Sequence, residues 1–148
     1  TTKMFIMKKV FFALILAFTC STSYSQVSFG GGLSYDLIDN FGLRVFGNAE
    51  INDEWKGQVS YSFFFSDWAL DFDAHYKLIE FNTGYEEGHV HPFAGLNINR
   101  DADNNDTELG INLGLNLTMP IDELKVFLEP KITFGGIGGL VISTGVMF

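Results

Sequence analysis

From Gln26 to the end of the chain, apolar and polar residues alternate with a period of two, not 3.6. The pattern is cleanest where Trp68, Leu70, Phe72, Ala74, Tyr76 and Leu78 alternate with Asp71, Asp73, His75 and Lys77. It returns in Leu109, Ile111, Leu113, Leu115, Leu117 and Met119, and again in Leu124, Val126, Leu128, Pro130, Ile132 and Phe134. Turn signals recur every ten to fourteen residues or so, as an all-β barrel or sandwich requires. Eight strands are predicted, over about 26–36, 41–51, 55–65, 68–78, 89–100, 108–119, 124–134 and 138–148. The links between them are short and polar or glycine-rich: Asp39-Asn40, Asn52 to Glu54, Ser66-Asp67, Asp101 to Asp106, Pro120 to Asp122 and Gly135-Gly136. The longest, 79–88, is too short for a second domain.

In these registers the apolar face of every strand body is free of charge. The opposite face carries Arg44, Glu50, Lys56, Asp71, Asp73, Lys77, Lys125, Glu129 and Lys131. Alternation alone does not say which face points outward, since a soluble lipocalin-like barrel is apolar inside and a membrane barrel the reverse. Side-chain size decides. The polar face is mostly small, with Ser28, Gly30, Gly32, Ser34, Gly42, Ser60, Ser62, Gly95, Gly110, Gly114, Ser143 and Gly145, and a narrow eight-stranded lumen must be filled by its own side chains. Phe46, Phe64, Phe93 and Phe127 are large inserts expected to plug gaps there. The charges are of mixed sign, as burial in pairs demands. The apolar face is bulky and continuous, as contact with hydrocarbon requires. Its aromatics gather at strand ends: Tyr35, Phe41, Phe63, Trp68 and Phe134 at one rim, Trp55, Tyr76 and Phe148 at the other. Pro130 is the discordant residue. It lies mid-strand and removes a ladder donor, so a bulge or a shifted register is expected there.

The N-terminal segment reads as a secretory signal. Lys8 and Lys9 precede the apolar stretch Val10 to Phe18, and Ser23-Tyr24-Ser25 places small residues where a signal peptidase reads, so cleavage is expected before Gln26. Residues 1–25 are thus the signal with upstream residues, starting at Met4 or Met7, and 26–148 the barrel. Losing Lys3, Lys8 and Lys9 takes the net charge from −9 to −12, which leaves no basic footprint for nucleic acid. The single cysteine, Cys20, falls inside the signal, so the mature chain is expected to hold neither disulfide nor thiol. The alternative is a lipoprotein cleaved before Cys20, for which Phe18 and Thr19 are poor flanking residues. Composition agrees with a barrel in lipid: 18% charged residues against the ~25% usual in soluble domains, 16 Phe, 16 Gly and 3 Pro.

A family resemblance rests on particular segments. Trp68 to Tyr76 (WALDFDAHY), His91 to Asn97 (HPFAGLN), Glu108 to Leu117 (ELGINLGLNL), Phe127 to Glu129 with Lys131, and Leu140 to Val146 resemble the later strands of small eight-stranded outer-membrane barrels of the OmpA/OmpX-like class. The terminal Phe148, closing an amphipathic strand, resembles the signal by which such barrels engage their assembly machinery. The resemblance implies an antiparallel up-and-down transmembrane barrel, exported through the periplasm to the outer membrane. Its expected partners are the lipid bilayer with its lipopolysaccharide and the barrel assembly machinery, and a monomer is expected. It implies no single activity. Pro130 and links as short as Ser66-Asp67 depart from the pattern.

Candidate chemistry is thin. His89 and His91 share a face near Glu86 and Glu87, but two histidines without a third ligand read as rim or lumen polar residues and not as a metal centre. His75 shares a face with Asp71, Asp73 and Lys77, which reads as a lumenal hydrogen-bond network before it reads as an acid–base cluster. Asp101 to Asp106 starts like a calcium loop, yet Asp106 and Asn112 stand where glycine and the closing acid belong, so it reads as an exposed acidic loop. A lipid-modifying enzyme would need a Ser/His/acid set at the lipid boundary, whereas the serines fall on the lumenal face. The glycine runs at 30–32 and 135–139 precede no helix and are not phosphate loops. The reading is an outer-membrane barrel of structural or interaction role with a filled lumen, no catalytic, cofactor or metal residues and no enzymatic activity. A small passive channel and a lipid-active enzyme are the alternatives.

Overall fold

The computed structural model describes residues 27–37, 40–65, 67–77, 79–82, 87–101, 105–135 and 139–148. The expected signal, Cys20 and the cleavage point before Gln26 lie outside them. The described residues form nine strands: β1 Val27–Asp36, β2 Asn40–Glu50, β3 Trp55–Phe64, β4 Asp67–Tyr76, β5 Ile79–Asn82, β6 Glu87–Asp101, β7 Thr107–Ile121, β8 Leu124–Phe134 and β9 Gly139–Met147. Apart from β4 and β5, each pairs antiparallel with its sequence neighbour, β1 pairs with β9, and β4 pairs with β6. β5 joins only β6, so eight strands close the barrel and β5 extends it at one rim.

The register fixes the barrel's shape. Partners can be followed from Val27 through Ala49, Gly57, Ala74, Ala94, Leu113 and Ile132 to Leu140, which accepts a hydrogen bond from Leu37 at 3.2 Å. The circuit therefore starts at residue 27 and returns at residue 37, a stagger of ten. Ten residues at ~3.3 Å against eight strand spacings at ~4.8 Å tilts the strands by roughly 40°. The lumen of such a barrel is narrow, and side chains must fill it.

The faces follow the alternation. Leu113, Leu115 and Ile132 are 48%, 44% and 45% exposed on the outside, whereas Arg44, Asp71, Glu129 and Lys131 are buried inside. The four lumenal phenylalanines obey a further rule: each stands opposite a glycine on a neighbouring strand, in the pairs Gly30 and Phe46, Gly42 and Phe64, Phe93 and Gly114, Phe127 and Gly145. At Gly30, Gly42 and Gly114 the phenylalanine ring occupies the space a Cβ would take. Gly145 also faces Gly32, and a Cβ on either would strike the other's strand. Small residues and rings on this face are thus two halves of one packing device.

Three expectations are corrected. The register is the same at Gly114↔Lys131 and at Leu117↔Leu128, so Pro130 causes neither a bulge nor a shift. The β7–β8 ladder lapses beside it while Pro130 keeps its place opposite Ile142 on β9, which puts its missing donor on the β7 side. The long link 79–88 contains strand β5. The step from His75 to Ile79 is one residue longer than the step from Val90 to Phe93, so a bulge separates β4 from β5. Pro120 and Ile121, expected in a link, continue β7, and Asp122, at φ 55°, turns the hairpin with Glu123. The rim aromatics meet in cross-strand contact: Tyr35 with Phe41 at 5.5 Å between centroids and Trp55 with Tyr76 at 5.0 Å.

The ring-over-glycine packing makes a graded prediction. A side chain at Gly114 meets both the Phe93 ring and the Pro130 carbonyl oxygen, whereas the nearest atoms to one at Gly30 all belong to the Phe46 ring. Gly114→Val is expected to lose more than the ~1–3 kcal/mol usual for overpacking, and Gly30→Ala less, with Phe46→Leu relieving the latter. Equilibrium unfolding followed by tryptophan fluorescence measures both, and a Gly114→Val barrel as stable as the parent would contradict the packing.

Candidate functional site

The lumen divides into a bonded plug and an open vestibule. The plug is built by lumen-facing positions of six strands. Asp71 on β4 accepts from the Lys131 ammonium at 2.7 Å, from Asn97 at 2.6 Å, from Asn112 at 2.7 Å and from the Ser60 hydroxyl at 3.3 Å. The Arg44 guanidinium donates to Glu129 at 2.5 Å and to Ser60 at 3.1 Å, and lies over the Phe46 ring. Glu129 also accepts from Asn116 at 2.7 Å, and Thr118 donates to Asn116. Thr133 donates to Asn112, and Asn99 to Asn97. Both ion pairs are almost fully desolvated, so each charge depends on its partner and its amide neighbours. Phe46 and Phe127 close the section with an edge-to-face contact at 5.0 Å.

The vestibule lies at the end where β1 begins and β9 ends. It is an open cavity of about 430 Å³ lined by Asn48, Glu50, Lys56, Lys77, His89, His91, Thr118, Glu123 and Lys125, among others. Toward the other end a cavity of about 50 Å³ lies beside Asn97, Asn99 and Lys131. The charges expected on one face thus sort by depth: Arg44, Asp71, Asp73, Glu129 and Lys131 in the plug, Glu50, Lys56, Lys77 and Lys125 around the mouth. Lys77 bonds Glu80 at 2.6 Å on the exposed link, which holds the ammonium's pKa above its usual value and the carboxyl's below.

The candidate clusters from the sequence fare differently. His75 is fully buried and stacked on Phe93 at 4.6 Å, and neither ring nitrogen has a partner among the described residues. Asp71 is committed to Lys131 and the asparagines, Asp73 accepts from Asn112 at 3.0 Å and Lys77 bonds Glu80, so His75 joins neither these groups nor the hydrogen-bond network expected for it. His89 and His91 are neighbours at 5.8 Å on the vestibule wall, and Glu87 opens β6 on the surface, while Glu86 lies outside the described residues. Among the described residues no three His, Cys, Asp or Glu side chains are placed to hold a metal ion. Of the acidic loop, Asp101 closes β6, Asn105 has φ 57° and accepts from Arg100, and Asp106 is exposed. The residues missed from sequence are Asn97, Asn99, Asn112 and Asn116, which hold the plug together. Their signal was available, since each sits at a lumenal position beside Leu or Ile residues.

No family model matches the chain, and the search of curated proteins finds no relative. Among solved structures, the N-terminal β-barrel domain of OprF from Pseudomonas aeruginosa is similar at a TM-score of 0.66 and 18% identity, over 84% of this chain and 98% of that one. A barrel from de novo design of transmembrane β-barrels is similar at 0.54 and 10% identity, over 84% and 93%. The expected likeness to small eight-stranded outer-membrane barrels therefore holds at the level of fold.

The plug predicts unequal costs at Asp71. Asp71→Ala strands the Lys131 ammonium and is expected to cost about 3–5 kcal/mol, whereas Asp71→Leu with Lys131→Met removes both charges and costs much less. A double-mutant cycle by urea unfolding reads the coupling. Additive losses would mean the pair is not buried as described.

Proposed function

We propose that the protein is an integral outer-membrane β-barrel, exported and cleaved before Gln26, that acts as a structural or interaction component with a plugged lumen and no catalysis. The observation that carries this reading is the inversion of the barrel. Large apolar side chains such as Leu43, Val45, Leu96, Leu109 and Ile111 are more than half exposed, while the ionised side chains of mid-barrel are inside. Water would penalise so continuous an apolar belt, and hydrocarbon would not. The strands are long enough: β1, β3 and β4 have 10 residues and β2 and β8 have 11, against the ~9–11 that cross a bilayer. The paired aromatics at the two rims suit the interfaces, where amphipathic rings settle.

The bonded plug supports a barrier over a pore, because a conducting path needs continuous water and both charge pairs span the section. The hydroxyls of Ser34 and Ser143 bond each other at 2.6 Å and that of Ser60 bridges Arg44 and Asp71, which supports a structural use for these serines. Closure leaves β1 to β4 and β6 to β9 paired on both sides, which supports a monomer. Phe148 is 72% exposed beyond its backbone bonds to Phe29, which leaves its ring available to the assembly machinery.

The test is location combined with burial depth. The protein is expected in the outer-membrane fraction, migrating faster unheated than heated. Leu113→Arg is expected to cost about 2–4 kcal/mol in bilayers, and Asn105→Arg nearly nothing. Planar-bilayer recordings are expected to show no steady conductance. Recovery of the mature protein in soluble form without detergent would refute the reading, and a large steady conductance would replace the plug with a channel.

A further inference from the structure

The vestibule is more than the open end of a barrel. Lys56, Lys77 and Lys125 reach it from three separate strands or their ends, and His89 and His91 line the wall beside them. Lys77 has Glu80, but among the described residues no carboxylate lies within ion-pair distance of Lys56 or Lys125. Glu50 and Glu123 are in the lining as well, both exposed. Below this mouth the wall changes character. Asn48 and His91 are 4% and 8% exposed, and the Asn48 Oδ1 and His91 Nδ1 atoms have no partner among the described residues. Gln58, opposite Asn48 in register, has both amide atoms unused. The plug beyond keeps a few atoms without hydrogen-bond partners among the described residues as well, at Arg44 Nε, Asp73 Oδ2 and Asn99 Oδ1, but those of Asn48, His89 and His91 belong to residues that line the open cavity. Buried polar atoms are rarely left without partners.

We propose that this vestibule binds a small anionic polyol, a sugar phosphate or a sugar acid. The unpaired ammoniums of Lys56 and Lys125 take the anionic group. Asn48, with the Ser28 and Thr118 hydroxyls that also line the cavity, takes sugar hydroxyls, for which donors and acceptors are both needed. Glu50 and Glu123 accept further hydroxyls at the mouth and repel a polyanion, which sets the preference for one compact charged group. A volume of about 430 Å³ falls in the range of small-molecule pockets, ~300–1,000 Å³. With the plug behind it the cavity is a blind one, so the solute is held and not passed.

Calorimetric titration of the folded barrel, purified from membranes in detergent, with glucose 6-phosphate, glucuronate and glucose tests this. At least one of the two anions is expected to saturate a single site, with glucose binding at least about tenfold more weakly, and the preferred anion identifies the head group. Lys56→Gln is expected to weaken it by about tenfold, with heat-modifiable migration retained. Should Lys56→Gln fail to fold, Lys125→Gln is expected to weaken binding to a similar extent, and added salt to lower the affinity of the parent barrel. Anions binding no better than glucose, or affinity unchanged in both lysine variants, would overturn the proposal. Neither result would disturb the barrel's membrane assignment.

Discussion

A closed sheet of eight strands with a stagger of ten has too little room inside for water to solvate isolated charges, and everything else in this molecule answers to that limit. Charges placed inside must find each other, which is why Arg44 meets Glu129 and Lys131 meets Asp71 across strands far apart in sequence. Amides from β6 and β7 then take up the lone pairs the ion pairs leave. Where charges are not available, a ring lies over a glycine. The interior is therefore specified by complementarity across strands and not by hydrophobic burial, the reverse of a soluble core.

Which face a residue takes was legible in the chain, because a strand's period of two assigns it without knowledge of the fold. Leu113, Ile132, Asp71 and Lys131 lie where alternation puts them. Side-chain size told inside from outside, since Ser34, Ser60 and Gly114 suit only a narrow lumen. Partner choice was not legible. Whether Asp71 meets Lys131 or Lys56 depends on the stagger, which sums small register choices around the whole barrel. The same blindness hid the role of Asn97, Asn112 and Asn116, whose weight comes from the carboxylates they serve. Pro130 misled because a missing ladder donor need not move the register: pairs lapse beside it on the β7 side, and its pairing with β9 is kept. β5 was hidden in a link with no alternation long enough to read.

The two halves of the lumen differ in a way that links packing to function. One half spends most of its polar groups on itself and closes the barrel. The other keeps Asn48, His89 and His91 atoms without hydrogen-bond partners among the described residues, on the wall of an open cavity rimmed by lysines. Stability and recognition are thus separated along the barrel axis, so a change at the mouth need not disturb the plug.

The most direct measurement concerns which way the apolar face points. Residues 26–148 contain no cysteine, so single cysteines at Leu113, Leu115 and Ile132, each carrying a nitroxide, can be compared with one at Asn105 in the loop. In bilayers, the three strand labels should be relaxed by oxygen dissolved in lipid and shielded from an aqueous nickel chelate, with Asn105 showing the opposite. Strand labels that respond to the chelate more than to oxygen would contradict the account.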